Sequence, residues 1–180
     1  MITMKRLTTL IAAMVICIGC FAGNPLKVTQ GDKNAVKAMM KETATAVVEF
    51  DWSNTMYDNK KTAKDEFGED YAFVVNDCQT SFVNGFNGES KGLQLTNKAE
   101  GAKYKFVLSV TNVDCFFAVM RFVPRHESKM WGKLTIKNAA NDETVAEISI
   151  DEAEDGCDVV RRESFGKTFL LLGKRLAKFK

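Results

Sequence analysis

Ser164-Phe165-Gly166-Lys167 fits the S-x-x-K spacing, which sets a lysine amine one helical turn from a serine hydroxyl and can make the serine a nucleophile. Only two residues are fixed by that pattern, and neither S-D-N nor K-T-G accompanies it. Ser164 therefore reads first as a helix N-cap and Lys167 as a surface lysine. His126 is the single histidine. One imidazole supplies neither a Ser-His-Asp triad nor a histidine-rich metal cluster, and beside Pro124 and Arg125 it reads as a loop surface residue. Asp151, Asp155 and Gly156 begin like an EF-hand loop. Ala153 takes a ligand position and Arg162 stands where the bidentate glutamate belongs, so a solvated acidic loop is the better reading. Asp77, Glu89, Asp114 and Glu127 have no spacing that pairs them. No phosphate-cradling glycine motif occurs. The expectation is no catalytic residue, no cofactor and no metal.

Cysteines carry the remaining chemistry, and the amino end decides how many the folded domain owns. Lys5 and Arg6 precede an uncharged apolar run from Leu7 to Phe21, followed by small residues at Ala22 and Gly23. That run is about 15 residues, short of the roughly 20 a membrane span needs, and the pattern is that of a secretory signal peptide over residues 1–22. Cleavage after Ala22 is favoured, because Cys20 and Ala22 give the small-x-small pattern. Lipidation of Cys20 is the alternative, although Cys17 stands where a lipoprotein signal wants an aliphatic residue. Ordinary cleavage leaves Cys78, Cys115 and Cys157, with no C-x-x-C pair. Cys78 and Cys115 fall on apolar faces and Cys157 in a loop. Lys5 and Arg6 are two of the 25 basic residues, so 23 basic face 23 acidic ones downstream. A neutral domain gives no reason to expect nucleic acid, and a membrane enters only through a lipidated Cys20.

The elements that must position these residues follow from periodicity. Residues 23–43 are polar and lysine-rich and read as a lead-in to a single domain over 44–180. Ala46 to Trp52 alternates Val48, Phe50 and Trp52 against Glu49 and Asp51, a half-buried strand. Ser53 to Asp70 reads as a polar loop. Tyr71 to Phe86 repeats apolar residues at three and four, with Asn76, Asp77, Gln79, Thr80 and Asn84 opposite, a helix. Gly92 to Thr96 is a short strand. In Lys103 to Phe117 the apolar set runs Tyr104, Phe106, Leu108, Val110, then shifts to Val113, Cys115, Phe117. A one-residue phase change inside a long strand predicts a β-bulge near Thr111-Asn112. Trp131 to Lys137 and Thr144 to Asp151 form a hairpin, and Phe165 to Phe179 an amphipathic closing helix. The fold class is α+β, a mostly antiparallel sheet of four to five strands with two helices on one face in the order β-α-β-β-β-β-α.

That order, with FVNGFN at Phe82 to Asn87, KYKFVLSVTNVD at Lys103 to Asp114, WGKLTIKN at Trp131 to Asn138 and FGKTFLLLGKRLAKF at Phe165 to Phe179, resembles a family of small exported Gram-negative envelope domains. These carry an anticodon-binding-like α/β unit; examples are the curli secretion-channel subunit and the outer-membrane activator of penicillin-binding proteins. The resemblance covers about residues 45–180, lacks the family's pore segments and transfers no functional residue. The leader points to a periplasmic or extracellular protein, or an outer-membrane-anchored lipoprotein; export, compact size and the lack of a catalytic constellation point to one that is not an enzyme and binds another envelope protein or assists assembly. Two other readings stay open: a carrier of a small apolar ligand lined by Phe116, Phe117, Phe122 and Trp131, and a periplasmic hydrolase using Ser164 and Lys167.

Overall fold

The computed structural model describes residues 24–120, 123–158 and 161–179. Residues 1–22, read above as a signal peptide and holding Cys17 and Cys20, lie outside the described residues, as does Phe122. Strands are β1 (Leu26–Gln30), β2 (Thr45–Asp51), β3 (Met56–Tyr57), β4 (Lys61–Thr62), β5 (Gln94–Thr96), β6 (Tyr104–Met120), β7 (Val123–Asn138) and β8 (Thr144–Asp158). Helices are α1 (Lys33–Met40), α2 (Ala63–Phe67), α3 (Tyr71–Glu89) and α4 (Arg161–Ala177). All strands join one eight-stranded sheet, ordered β1-β8-β7-β6-β2-β5, with β3 paired to β6 and β4 to β3.

The α+β class holds, but four to five strands was too few. The segment read as a polar lead-in contains both β1 and α1. Leu26 and Val28 pair with Ile150 and Ile148 at the β8 edge, and Val36, Met39 and Met40 of α1 are buried. Asp32 caps α1 by accepting from the Asn34 N–H at 2.9 Å. The polar stretch after Trp52 supplies β3, β4 and α2 rather than a loop. There Thr62 caps α2 by accepting from the Asp65 N–H at 3.0 Å. Antiparallel pairing links β1, β8, β7 and β6, whereas β2 runs parallel to both β5 and β6. Helix α3 is the crossover that makes this parallel pairing possible.

Ser109 and Val110 face Lys133 and Gly132, then Asn112 faces Trp131, leaving Thr111 as the extra residue of the predicted bulge. Phe106, Leu108, Val110 and Val113 are consequently all buried on one face. The released Val110 carbonyl accepts from the buried Thr55 hydroxyl at 2.7 Å, and the Asn112 side chain accepts from the Asn59 N–H at 3.1 Å. The bulge thus anchors the 53–62 segment beside β6.

Helices α3 and α4 cross closely over the buried face. A Cβ at Gly85 would meet the Leu170 backbone, and one at Gly173 the Phe82 carbonyl. Phe50 meets Phe82 edge-on at 5.6 Å and Trp52 stacks on Phe169 at 5.5 Å, tying both helices to the β2 side. The buried Thr168 hydroxyl lies 2.7 Å from that of Ser128, fixing α4 to β7. The opposite sheet face is laced with Lys105–Glu49, Lys133–Glu147 and Lys137–Asp142 pairs and faces water.

Candidate functional site

Ser164 lies inside the first turn of α4, not at its N-cap, because the helix begins at Arg161. Its hydroxyl donates to the Arg161 carbonyl at 2.6 Å and sits 3.7 Å from the Cys115 sulfur. Ser164 is fully buried while Lys167 is exposed, so the S-x-x-K pair splits between core and surface. His126 belongs to β7, not to a loop, and packs edge-on against Phe117 across the ladder at 5.6 Å. Asp151 to Asp158 continues β8 rather than forming an acidic loop, so the backbone geometry of a cation loop is replaced by extended pairing with β7. No cluster of three or more histidine, cysteine, aspartate or glutamate side chains occurs among the described residues.

Cys78 and Cys115 are free thiols. Burial, helped by the neighbouring Asp77 charge, pushes the Cys78 thiol well above its ordinary range. Burial also raises Cys115, with the Ser164 contact opposing it. The side chain of Cys157 lies outside the described residues.

The proposed aromatic ligand lining is not brought together. Phe116 and Phe117 are consecutive in β6 and project to opposite faces of the sheet. Lys129 stands over the Phe116 ring at 5.6 Å on one side, and His126 meets Phe117 on the other. Trp131 lies at the bulge, opposite Asn112.

Two arrangements escaped the sequence reading. Beside Val113 and Cys115 of β6, Arg161 ion-pairs with Glu66 and stands over the Tyr57 ring at 5.1 Å. Lys61 pairs with the same carboxylate, and the Tyr57 hydroxyl donates to the Cys115 carbonyl at 3.1 Å. The Lys61 hydrogen bond first, and Arg161 after it, hold Glu66 below its usual carboxylate range, against the opposing effect of burial. Burial works against the Arg161 charge, but Glu66 and Tyr57 outweigh it and its pKa is raised. Burial raises Tyr57. This junction clamps the start of α4 to the 53–70 segment. Its residues are scattered through polar sequence at separations no local pattern exposes.

The second arrangement is a groove of about 450 Å³ between the outer stripe of α3 and the β2–β5 edge. Asn76, Gln79, Thr80 and Asn84 line it from α3, and Thr96 and Asn97 from the end of β5. Val48, Phe50 and Leu95 give it an apolar floor. Beside it Asn87 closes the sheet edge: its side-chain amide donates to the Leu95 carbonyl at 2.9 Å and accepts from the Leu95 N–H at 2.7 Å. The Gln94 N–H points inward, to the Ala44 carbonyl of the β2 side. Leu95 therefore carries the one outward-facing backbone pair of the three-residue strand, and Asn87 occupies it as a neighbouring strand would. The helical spacing of 76, 79, 80 and 84 was visible in the sequence, but it read as a plain solvent face.

No known family and no curated protein matches the chain by sequence. Among solved structures, the PelC dodecamer from Paraburkholderia phytofirmans is similar at 11% identity and a TM-score of 0.39, over 84% of this chain and 94% of that one. A single-residue variant of the same dodecamer gives 12% and 0.40, over 84% and 96%. A homolog of neuraminyllactose-binding hemagglutinin from Helicobacter pylori gives 12% and 0.36, over 77% and 83%. Likeness this loose assigns this chain neither a family nor an activity. Among the described residues no helix is long and apolar enough to cross a membrane.

The β6–β7 ladder continues to Met120↔Val123, well past the point where α4 begins over Cys115 and Ser128. From Cys115 to Met120 the strand runs about 17 Å, at roughly 3.4 Å per residue. On this extension Phe117 is 62% exposed and Phe116 40%. The two aromatics stand on opposite faces of this extension, one exposed ring on each.

Proposed function

We propose that the chain is an exported, non-enzymatic cell-envelope protein that serves as a protein-interaction or assembly module, with the β6–β7 extension as its contact arm. The observation that carries this reading is the exposure of Phe116 and Phe117 beyond the helical layer. Aromatic side chains bury large area at low entropic cost and are enriched at interface centres, which suits a docking role. The dispersal of Ser164, Lys167, His126 and the carboxylates across separate places supports a non-catalytic role. The signal-like amino end supports export, with lipidation of Cys20 as the route to a membrane and cleavage after Ala22 as the route to a free protein.

A photo-crosslinking residue at position 117, introduced in cells, tests the arm. The expected result is one discrete adduct with an envelope protein, absent when the probe is moved to Thr135 on the opposite, charged face. Recovery of free monomer alone at position 117, or equal adducts from both positions, refutes the assignment. Intact mass of the same sample reads the amino terminus: a chain starting at Gly23 supports a free protein, and a diacylglyceryl mass on Cys20 an anchored one.

A further inference from the structure

We propose that the groove between α3 and the β2–β5 edge is a binding site for a neutral, hydroxyl-rich ligand of the saccharide class. Three features carry this. The first is the absence of charge. Folded surfaces are about 25–35% charged, so ten lining residues should include about three Lys, Arg, Asp or Glu; this groove has none. The uncharged stretch is not a general property of the surface, because the far face of the same sheet is covered with lysine–carboxylate pairs.

The second feature is the kind of polarity that replaces charge. Asn76, Gln79, Asn84 and Asn97 each present a donor and an acceptor on one planar group, and Thr80 and Thr96 add hydroxyls. A sugar hydroxyl also donates and accepts at once, so it satisfies both ends of such a lining. A charged ligand would lose hydration here and meet no opposite charge. Asn87, one turn beyond Asn84, shows the contrast: its amide is spent on the Leu95 backbone, whereas Asn76, Gln79, Asn84 and Asn97 line the groove. Beneath them Val48, Phe50 and Leu95 offer apolar surface for the C–H faces of a pyranose ring. A volume near 450 Å³ falls within the range of about 300–1,000 Å³ typical of small-ligand sites and suits one or two sugar rings.

The third feature separates a saccharide from an extended peptide. A peptide adding as a strand needs outward N–H and C=O groups on β5. The outward pair belongs to Leu95 and is already held by Asn87. Recognition in this groove must therefore go through side chains, as it does for sugars. The site lies on α3 and the β5 edge, apart from the β6–β7 arm, so it stands or falls independently of the proposed docking role.

The test is amide-resolved NMR titration of the purified ¹⁵N-labelled protein with lactose, maltose and N,N′-diacetylchitobiose at millimolar concentration. Glucuronic acid and trialanine serve as comparison ligands. The expected result is saturable shifts of the Asn76, Gln79, Asn84 and Asn97 side-chain NH₂ signals with at least one neutral disaccharide. The Asn76→Ala/Asn84→Ala double variant should weaken that binding by about tenfold or more. Both positions are exposed, so an unchanged unfolding midpoint verifies that the variant folds. Three outcomes overturn the proposal: no neutral saccharide shifts those signals, glucuronic acid or trialanine shifts them as strongly, or the double variant binds as well as the parent.

Discussion

The crossing of α3 and α4 makes opposite predictions for two glycines three residues apart on one helix. A Cβ at Gly85 would fall well under 3.0 Å from the Leu170 carbonyl, whereas one at Gly88 meets nothing within 4 Å. In an α-helix, glycine to alanine gains about 0.8–1 kcal/mol from lower backbone entropy. At Gly88, near the helix end, about half of that should survive, so Gly88→Ala stabilises by about 0.5 kcal/mol. At Gly85 the obstacle is backbone on a packed helix, which cannot rotate aside as a side chain would. The helices must part by roughly 1 Å, and overpacking of this kind costs about 1–3 kcal/mol, here at the upper end. After the propensity gain, Gly85→Ala destabilises by about 2 kcal/mol. With a urea slope of about 2 kcal/mol/M, the midpoint falls by about 1 M for Gly85→Ala and rises by about 0.25 M for Gly88→Ala. Gly173→Ala should behave like Gly85→Ala, since it drives a Cβ at the Phe82 carbonyl across the same crossing. The Gly85→Ala/Gly173→Ala double variant should cost less than the sum, because one separation relieves both clashes. Urea unfolding followed by far-UV circular dichroism reads all four variants. If Gly85→Ala unfolds at or above the parent midpoint, the close helix contact is wrong.

Two further outcomes follow from the titrating groups. Glu66 is held below its ordinary pKa by Lys61 and Arg161, so its stabilising contribution is complete above the unfolded carboxylate pKa and is lost as pH falls through the lowered folded value. Glu66→Gln should therefore lower the thermal midpoint at pH 7 and leave it nearly unchanged at about pH 2, below the carboxylate range; an equal loss at both pH values would remove the ion pair as the cause. Cys78 is fully buried with its thiol pushed well up, so in a Cys115→Ser/Cys157→Ser background it should resist an aromatic disulfide reagent at mildly alkaline pH until the protein is unfolded. Labelling of the native protein at the rate of a free thiol would contradict that burial.

What the sequence made legible was the part governed by local periodicity. The bulge in β6 was readable because it moves the apolar set from even to odd positions, and burial of Phe106, Leu108, Val110 and Val113 follows that shift. Helix α3 was readable from its apolar stripe of Val74, Cys78, Phe82 and Phe86. Helix α1 had a usable signal in Val36, Met39 and Met40 behind Asp32, but Lys27, Lys33, Lys37 and Lys41 masked it. Parallel pairing of β2 escaped because strand direction is a property of the crossover and not of the strand's own residues. The start of α4 at Arg161 was hidden by Ser164, whose residue type suits a cap but whose hydroxyl is used inside the helix. The groove escaped for a different reason. An exposed amide stripe and a ligand-facing one have the same composition, and only the nearby sheet edge distinguishes them.

The seal that Asn87 places on Leu95 has a consequence for life at high concentration. A flat, unsatisfied border on a sheet invites copies of the same molecule to stack without limit. Here a single carboxamide denies that border its one free rung. Strand addition through Leu95 on this flank is blocked. Asn87→Leu would reopen the rung, and the first sign would be turbidity that grows with protein concentration rather than a loss of fold.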